Sequence, residues 1–550
     1  MAILGTFLID LDRPGLFTAP ILFVKSNIHV LFTGLALLYL AQIIYYLSLH
    51  PPHKIPGPFL ARFSGIWKNV RYFRSTWHND VLELHEEYGP VVRIAPNEVS
   101  FVDAKALGAI YGHGTTAKKV RETFHSSFVL YRQRMLTLRH PQSKWYRTWF
   151  IPDMQRSFFA SQDVMIHRAL RSRVSAAYSM TSILAMEPYI QEVADKTWAK
   201  FRGFADSGQA IDFGEWIPYF TFDVVGQLSL GGEIGFVEQE EDVDDIISSI
   251  HIGFYMMANM GNVPLQMFWL NNSVTKFLVE RFGNAKLNAF QGFLKWLEQR
   301  VRDRMKYGLG TRRRDMLQHF IEMKGIQGRP TEVGDAMIEG VNILGAGADT
   351  TSIGILAVLG DLILHPEIMP RLQAEVDQAY KDLGHKEKQT EISFKEASAL
   401  PYLAAVIKES MRLHPSIQYQ LPRHPAEGGV VIGPYQIPSS AEVGISPRSM
   451  NRCKEIFGPD ANEFRPSRWQ FSNEKEEEAV KEMSRLLTTF GMGSRVCVGQ
   501  NLALVEVHKF IAQFIHKFDM KLADPQKLWT TRTQWFSMQY DFNVRLEARQ

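Results

Sequence analysis

Cysteine is almost missing. Only Cys453 and Cys497 occur among 550 residues. Two thiols cannot build a disulfide framework, a four-cysteine zinc site or a four-cysteine iron–sulfur cluster, and such sparing use fits a reducing compartment. An excess of one charge is missing too: 61 Lys and Arg stand against 58 Asp and Glu, a formal net charge of +3. That balance excludes a nucleic-acid partner held by bulk charge. Charged residues at 22% and apolar ones at 45% exclude wholesale disorder. From Gly57 onward there is no repeat, low-complexity tract or second linker. The length alone would allow roughly three or four domains, but one large domain is the simpler account. Aromatic side chains are plentiful, 12% with 36 Phe, enough to fill a large interior.

Val30 to Leu49 carries no charged residue. Twenty residues at 1.5 Å each reach about 30 Å, the thickness of a hydrocarbon core. A cleaved signal peptide fits poorly, because the run is too long and Asp10 and Asp12 precede it. A buried helix fits poorly because no polar face interrupts the run. Lys54, Arg62, Lys68, Arg71 and Arg74 follow it, against Arg13 and Lys25 before it. The positive-inside rule then predicts a short luminal segment over 1–29, a transmembrane helix over 30–49 and a cytosolic domain over 59–550. Asn271 heads a glycosylation sequon, which that topology makes a chance match. Between anchor and domain, His50 to Pro58 holds four prolines in nine residues and reads as a stiff, extended hinge.

The domain's pattern is mostly helical. A basic helix is predicted over Ser161–Tyr178 and another helix over Pro401–Leu413, its proline in the first turn. Thr331–His365 is apolar nearly all round, as a helix through the middle of a core would be, with Thr331 placed to cap it. Strand-like runs are short: 90–94, 430–437 and 538–546. The fold class is therefore mainly α with a minor β part.

Phe490-Gly-Met-Gly493-Ser-Arg495-Val-Cys497-Val-Gly499 carries the strongest chemical signal. A lone cysteine lies between glycines, directly before an apolar helix. Gly493 and Gly499 would let backbone approach the sulfur. N–H groups, the helix dipole and the Arg495 cation would stabilise a thiolate. A thiolate with one bond to give suits haem iron as an axial ligand. On these residues alone an inert buried cysteine is the competing reading.

The segment resembles the haem-binding signature of the cytochrome P-450 superfamily, Phe-x-x-Gly-x-Arg-x-Cys-x-Gly, at all five fixed positions: Phe490, Gly493, Arg495, Cys497 and Gly499. Further motifs follow the family's order. Glu409-x-x-Arg412 looks like the family's Glu-x-x-Arg, and Arg468 in Phe464-Arg-Pro-Ser-Arg468 resembles its third partner, a structural trio. Ala346-Gly-Ala-Asp349-Thr350-Thr351 resembles the oxygen-activation motif. Gly345 and Gly347 would weaken that helix and open a groove. The resemblance implies that Thr350 hydrogen-bonds dioxygen and that Asp349 feeds protons through water; a satisfied core polar pair is the bland alternative. It also implies propionate partners: Arg171, with His167 in the place of the usual tryptophan, then Arg423 and Arg495. Cys453 has no motif and is expected to be passive.

The resemblance thus implies a membrane-anchored haem-thiolate monooxygenase with the P-450 fold, similar to fungal, pisatin demethylase-like members. It would insert one oxygen atom from O2 into a small apolar organic molecule, in secondary metabolism. Haem b is the expected cofactor. No flavin or nicotinamide site is seen, so an NADPH-dependent P-450 reductase at the endoplasmic reticulum membrane is the expected partner, with membrane lipid around the anchor. Substrate contacts are expected in Gly112–Tyr131, Phe254–Met260, Asn342–Ala346, Ser416–Gln420 and Trp535–Phe536, and Arg168 and Arg173 are expected to dock the reductase. A haem-thiolate isomerase or dehydratase that does not use O2, and a non-catalytic membrane-anchored binding protein, are the rival readings.

Overall fold

In the computed structural model the described residues are 28–112, 144–149, 157–263, 266–274, 277, 281, 285–308, 314–325, 328–383 and 391–549. The apolar run forms helix α1, Ile28–Ile44, continued by a wider π turn over Tyr45–Leu49. Its Phe32–Leu49 stretch has a mean hydropathy of 1.6, is not buried against the rest of the chain, and is long and apolar enough to cross a membrane.

The proline segment is not the extended rod its composition predicts. Pro51–Lys54 closes a 3-10 turn, and His50, Pro52 and Ile55 are buried. The fixed φ of proline suits that turn as well as it suits an extended chain. Tertiary contacts decide between them. The backbone N–H of Arg93 donates to Pro56 O at 2.7 Å, and its wholly buried guanidinium donates to Tyr46 O at 3.1 Å. The two strands of backbone come so close that a Cβ at Gly57 would sit 2.2 Å from Arg93 O.

Six further helices frame the core: α2 (Val164–Val174), α3 (Phe213–Leu230), α4 (Ile246–Met260), α5 (Val333–Leu364), α6 (Pro401–Leu413) and α7 (Gln500–Lys517). Asp163 caps α2, its Oδ1 accepting from the N–H of Met165 and Ile166. The long helix α5 is buried along most of its length, with α3, α6 and α7 packed on it. Its start is not capped by Thr331, whose hydroxyl donates instead to Met323 O. Glu332 and Asp335 form a reciprocal capping box there.

Among the described residues ten strands make four small sheets. They are β1 (Val91–Ala95), β2 (Glu98–Phe101), β3 (Ile211–Asp212), β4 (Val430–Ile432), β5 (Tyr435–Ile437), β6 (Glu442–Gly444), β7 (Phe518–Leu522), β8 (Thr530–Gln534), β9 (Phe536–Tyr540) and β10 (Asn543–Ala548). β6 joins β2 in parallel, and β10 lies between β3 and β7. The predicted single strands at 430–437 and 538–546 are each two strands. Gly433 (φ +55°) and Asp541 (φ +59°) turn the chain inside them, which a pattern of apolar residues does not reveal. Cys453 is buried in a small cluster beneath the β1–β2–β6 sheet, a packing role.

Candidate functional site

Cys497 ends a tight loop. Its N–H donates to Phe490 O at 2.8 Å, a 3-10 turn over Gly493–Arg495 lies between, and α7 starts three residues later. The backbone N–H groups of Gly499 and Gln500 donate to the sulfur. Burial pushes the thiol up, while those two donors and the Arg171 charge pull it back towards thiolate. The residue is nonetheless accessible, because it opens on an internal cavity. Gly499 lies beside the sulfur as expected; a Cβ there would be 3.9 Å from Sγ. Gly493 serves another contact. It sits at φ +70°, and a Cβ would fall 1.9 Å from Tyr111 O, so its missing side chain lets the loop close on Tyr111 rather than on the sulfur.

The cavity, about 290 Å³, lies between Cys497 and the middle of α5. Ala346, Gly347 and Thr350 face it, and Ala346 is exposed in the middle of a helix buried along most of its length. The helix runs unbroken through Gly345 and Gly347, so the expected weakening does not occur. Gly345 is instead the seat of Phe254, whose ring would be 2.4 Å from a Cβ. Thr350 Oγ1 donates to Ala346 O at 2.7 Å, which leaves its lone pairs towards the cavity open to a donor. Asp349 does not line the cavity: it is fully buried and held by His251 Nε2 at 2.7 Å.

Basic side chains gather at the rim. His167, Arg171, Arg423 and Arg495 all line the cavity. Arg495 donates to Ser161 O at 2.8 Å, and Arg423 to the Tyr146 hydroxyl at 2.7 Å. Arg423 is fixed by paired backbone hydrogen bonds with Val443, 2.8 Å each. Burial, with Arg423 and Arg171 nearby, pushes Arg495 down to about 9. None of these arginines is paired with a carboxylate among the described residues. Like charges held together this way fit an anionic partner. A thiol donor on one wall, an apolar slot and cations at one edge together fit haem b with its two carboxylates. Arg173 does not belong to this group, nor to the surface. It is buried in α2 and pairs with Asp335 at 3.0 Å and Glu339 at 3.4 Å, because the α5 carboxylates need a counter-charge; Arg168 is the exposed one.

Behind the loop, Glu409, Arg412 and Arg468 come together fully buried or nearly so. Glu409 Oε1 accepts from Arg412 at 2.8 Å and Arg468 at 3.1 Å, and Oε2 accepts from Trp469 Nε1 at 2.8 Å. Arg412 also donates to Asn451 O at 2.7 Å, and Asn451 receives Thr488 N at 2.9 Å, at the entrance to the cysteine loop. Glu409→Gln strips the counter-charge from buried Arg412 and leaves Arg468 with Asp460 alone, at 2.9 Å. The expected loss is about 3–5 kcal/mol of stability, read as a lower unfolding midpoint and a lower haem-to-protein ratio.

The opposite end of the cavity is aromatic. Trp149 and Trp535 lie 4.7 Å apart, with Phe254 5.4 Å and Phe159 5.3 Å from Trp149. Trp535 holds φ +88°, a strained conformation for a bulky residue, at the turn between β8 and β9. Of the predicted contacts, Phe254, Met257, Asn342, Ala346, Ser416, Ile417, Trp535 and Phe536 line the cavity, whereas Met256 and Met260 do not. Nearly all of 112–131 falls outside the described residues. Tyr146, Trp149, Phe159, Tyr178 and His251 were not singled out by sequence reasoning; they lie in no motif and meet the site only through packing.

The cytochrome P450 family model matches residues 55–541. The chain is 32% identical to the cytochrome P450 monooxygenase cicH of Emericella nidulans over 90% of its length and 93% of that protein's. It is 30% identical to the cytochrome P450 monooxygenase gsfF of Penicillium aethiopicum, covering 92% and 95%. It is 29% identical to a pisatin demethylase of Fusarium vanettenii, covering 88% of each.

Proposed function

The chain belongs to the cytochrome P450 family, and from that membership we propose that it is a membrane-bound monooxygenase acting on a flat, largely apolar organic molecule in fungal secondary metabolism. Family members are oxidoreductases that use haem b and incorporate oxygen. The observation that carries the substrate class is the wall of Trp149, Phe159, Phe254 and Trp535 facing Cys497 across the cavity. Aromatic rings at 4.7–5.4 Å offer stacking faces and few polar partners. The fungal relatives support the metabolic setting.

Haem, when bound, supplies the iron at which dioxygen is split, and thiolate donation favours that cleavage. In this reading Cys497 provides the thiolate, held by the Gly499 and Gln500 N–H groups. Arg171, Arg423 and Arg495, with His167 beside them, hold the haem carboxylates. Phe490 and Gly493 shape the loop. Thr350 presents a hydroxyl to the reacting space, with Asp349 behind it. Electrons come from NADPH through a separate flavoprotein reductase, for which exposed Arg168 is a docking charge.

Membrane attachment through α1 at the endoplasmic reticulum, with the domain in the cytosol, is supported by a second apolar surface. Phe59, Leu60, Ile66, Phe268 and Trp269 are exposed, and the two segments approach where Asn69 Nδ2 donates to Asn262 O at 3.0 Å.

Turnover in 18O2 with NADPH and reductase tests the reading. One labelled atom should enter product and the other water; product without label indicates an isomerase or dehydratase, and no carbon monoxide absorbance of a thiolate haem indicates a binding protein. Ala346→Leu adds three carbons at the exposed point of α5. It should redistribute products among attacked positions while haem content stays as in the wild type. An unchanged product profile places that face of α5 away from the substrate.

A further inference from the structure

The carboxylate of Asp349 is wholly buried, and its Oδ1 accepts from His251 Nε2 at 2.7 Å. Its other oxygen, Oδ2, has no hydrogen-bond partner among the described residues. A carboxylate taken out of water needs a donor or a counter-charge, and α4 brings His251 to it. The imidazole keeps 23% of its side chain accessible, yet it is not among the residues that line the cavity. Its accessible edge therefore opens elsewhere. Phe254 follows three residues along α4 and Met257 six, and both line the cavity. A single helix thus carries a proton-bearing ring on the buried acid and two side chains against the substrate space.

We propose that His251 is a positioning residue that holds Asp349 and passes it the protons consumed at Thr350. Imidazole changes charge near neutral pH, so it can give a proton and regain one without a large penalty. The balance is R–H + O2 + two electrons + two protons to R–OH + H2O, with the electron pair from NADPH. Water protonates the ring at its accessible edge, and the imidazolium gives its Nε2 proton to Asp349 Oδ1 as the carboxyl group passes a proton on towards Thr350. The ring then turns over to present an N–H to the acid again, so both side chains return to their starting forms before the second proton. Tyr540 of β9 lies within electrostatic reach of the same carboxylate, with the Arg532 guanidinium 5.2 Å from its ring centre. Burial and the Asp349 charge push the Tyr540 phenol up, so it stays protonated and does not accept.

This rests on the monooxygenase reading, and the experiment separates the two. The haem-loaded enzyme is compared with His251→Gln, which keeps an amide donor for Asp349 but cannot carry a proton, and with His251→Leu, which does neither. In His251→Gln, KM and the unfolding midpoint should match the wild type. Its kcat should fall on the order of tenfold, with the missing electrons found in peroxide and a larger solvent deuterium isotope effect. A second readout needs no turnover. In thermal unfolding of the resting ferric enzyme, His251→Leu should lower the midpoint by roughly 2–5 °C, and in an Asp349→Asn background most of that loss should vanish. Wild-type kcat and isotope effect in His251→Gln overturn the proposal. So do additive midpoints, or a parallel fall of KM performance, stability and kcat, which would make His251 a prop of the wall. A wild-type enzyme that inserts no oxygen fails the monooxygenase reading instead.

Discussion

Cys497→Ser is expected to abolish thiolate-haem absorbance and turnover together. The two side chains are nearly the same size, so the loop from Phe490 to Gly499 keeps its fold, including the 2.8 Å bond from residue 497 N–H to Phe490 O. What changes is acidity. The site works against ionisation through burial and for it through two backbone donors and Arg171. A thiol starts near enough to neutral pH for those donors, and metal binding, to bring it to the anion; a hydroxyl does not. Reduced enzyme with carbon monoxide should therefore lose the absorbance that marks a thiolate ligand, and product should fall below detection. The unfolding midpoint of the protein part should change little, which separates loss of the ligand from loss of the fold. A purified serine variant that still oxidises substrate with dioxygen would overturn the assignment of Cys497.

Thr350→Ala should produce the second large effect, and of a different kind. The hydroxyl donates to Ala346 O at 2.7 Å within its own helix. Such a bond adds little to a helix that already pairs its carbonyls, so α5 should remain intact without it. Haem content, substrate affinity and NADPH consumption should persist. Product formed per NADPH should fall on the order of tenfold, with peroxide taking the difference, because a hydroxyl that can accept a hydrogen bond and relay protons is lost from the reacting space. Thr350→Ser keeps the hydroxyl and should restore most of the yield. If Thr350→Ala turns over with full yield, the hydroxyl serves only the helix.

Much of the site was legible because its signals are local. The cysteine, its flanking glycines and the following helix lie within a dozen residues, and backbone geometry ties each to its neighbours. The Glu409–Arg412 pair is one helical turn, and the apolar continuity of Thr331–His365 marks a core helix wherever that helix sits. Charge counts and the uncharged run of 30–49 needed no partner to be read. The family signature added residues the chemistry alone left open, such as Arg423.

Other features have no local signature, because each is a contact between segments far apart in the chain. Asp349 and His251 are 98 positions apart, and nothing in either segment says that the acid turns from the cavity to an imidazole. Arg168 and Arg173 look alike in the basic stretch of α2, yet one is exposed and the other is buried against Asp335 and Glu339. The proline segment could equally be a rod or a turn until Arg93, 37 positions beyond Pro56, supplies a donor for its backbone. The sequence by itself determined the helical class, the uncharged apolar helix and the glycine-flanked cysteine loop, since those follow from backbone preference, hydropathy and short-range spacing. Only the tertiary structure decided which charges are buried, which aromatic rings line the cavity and where the buried acid points, since these depend on which distant surfaces packing brings together.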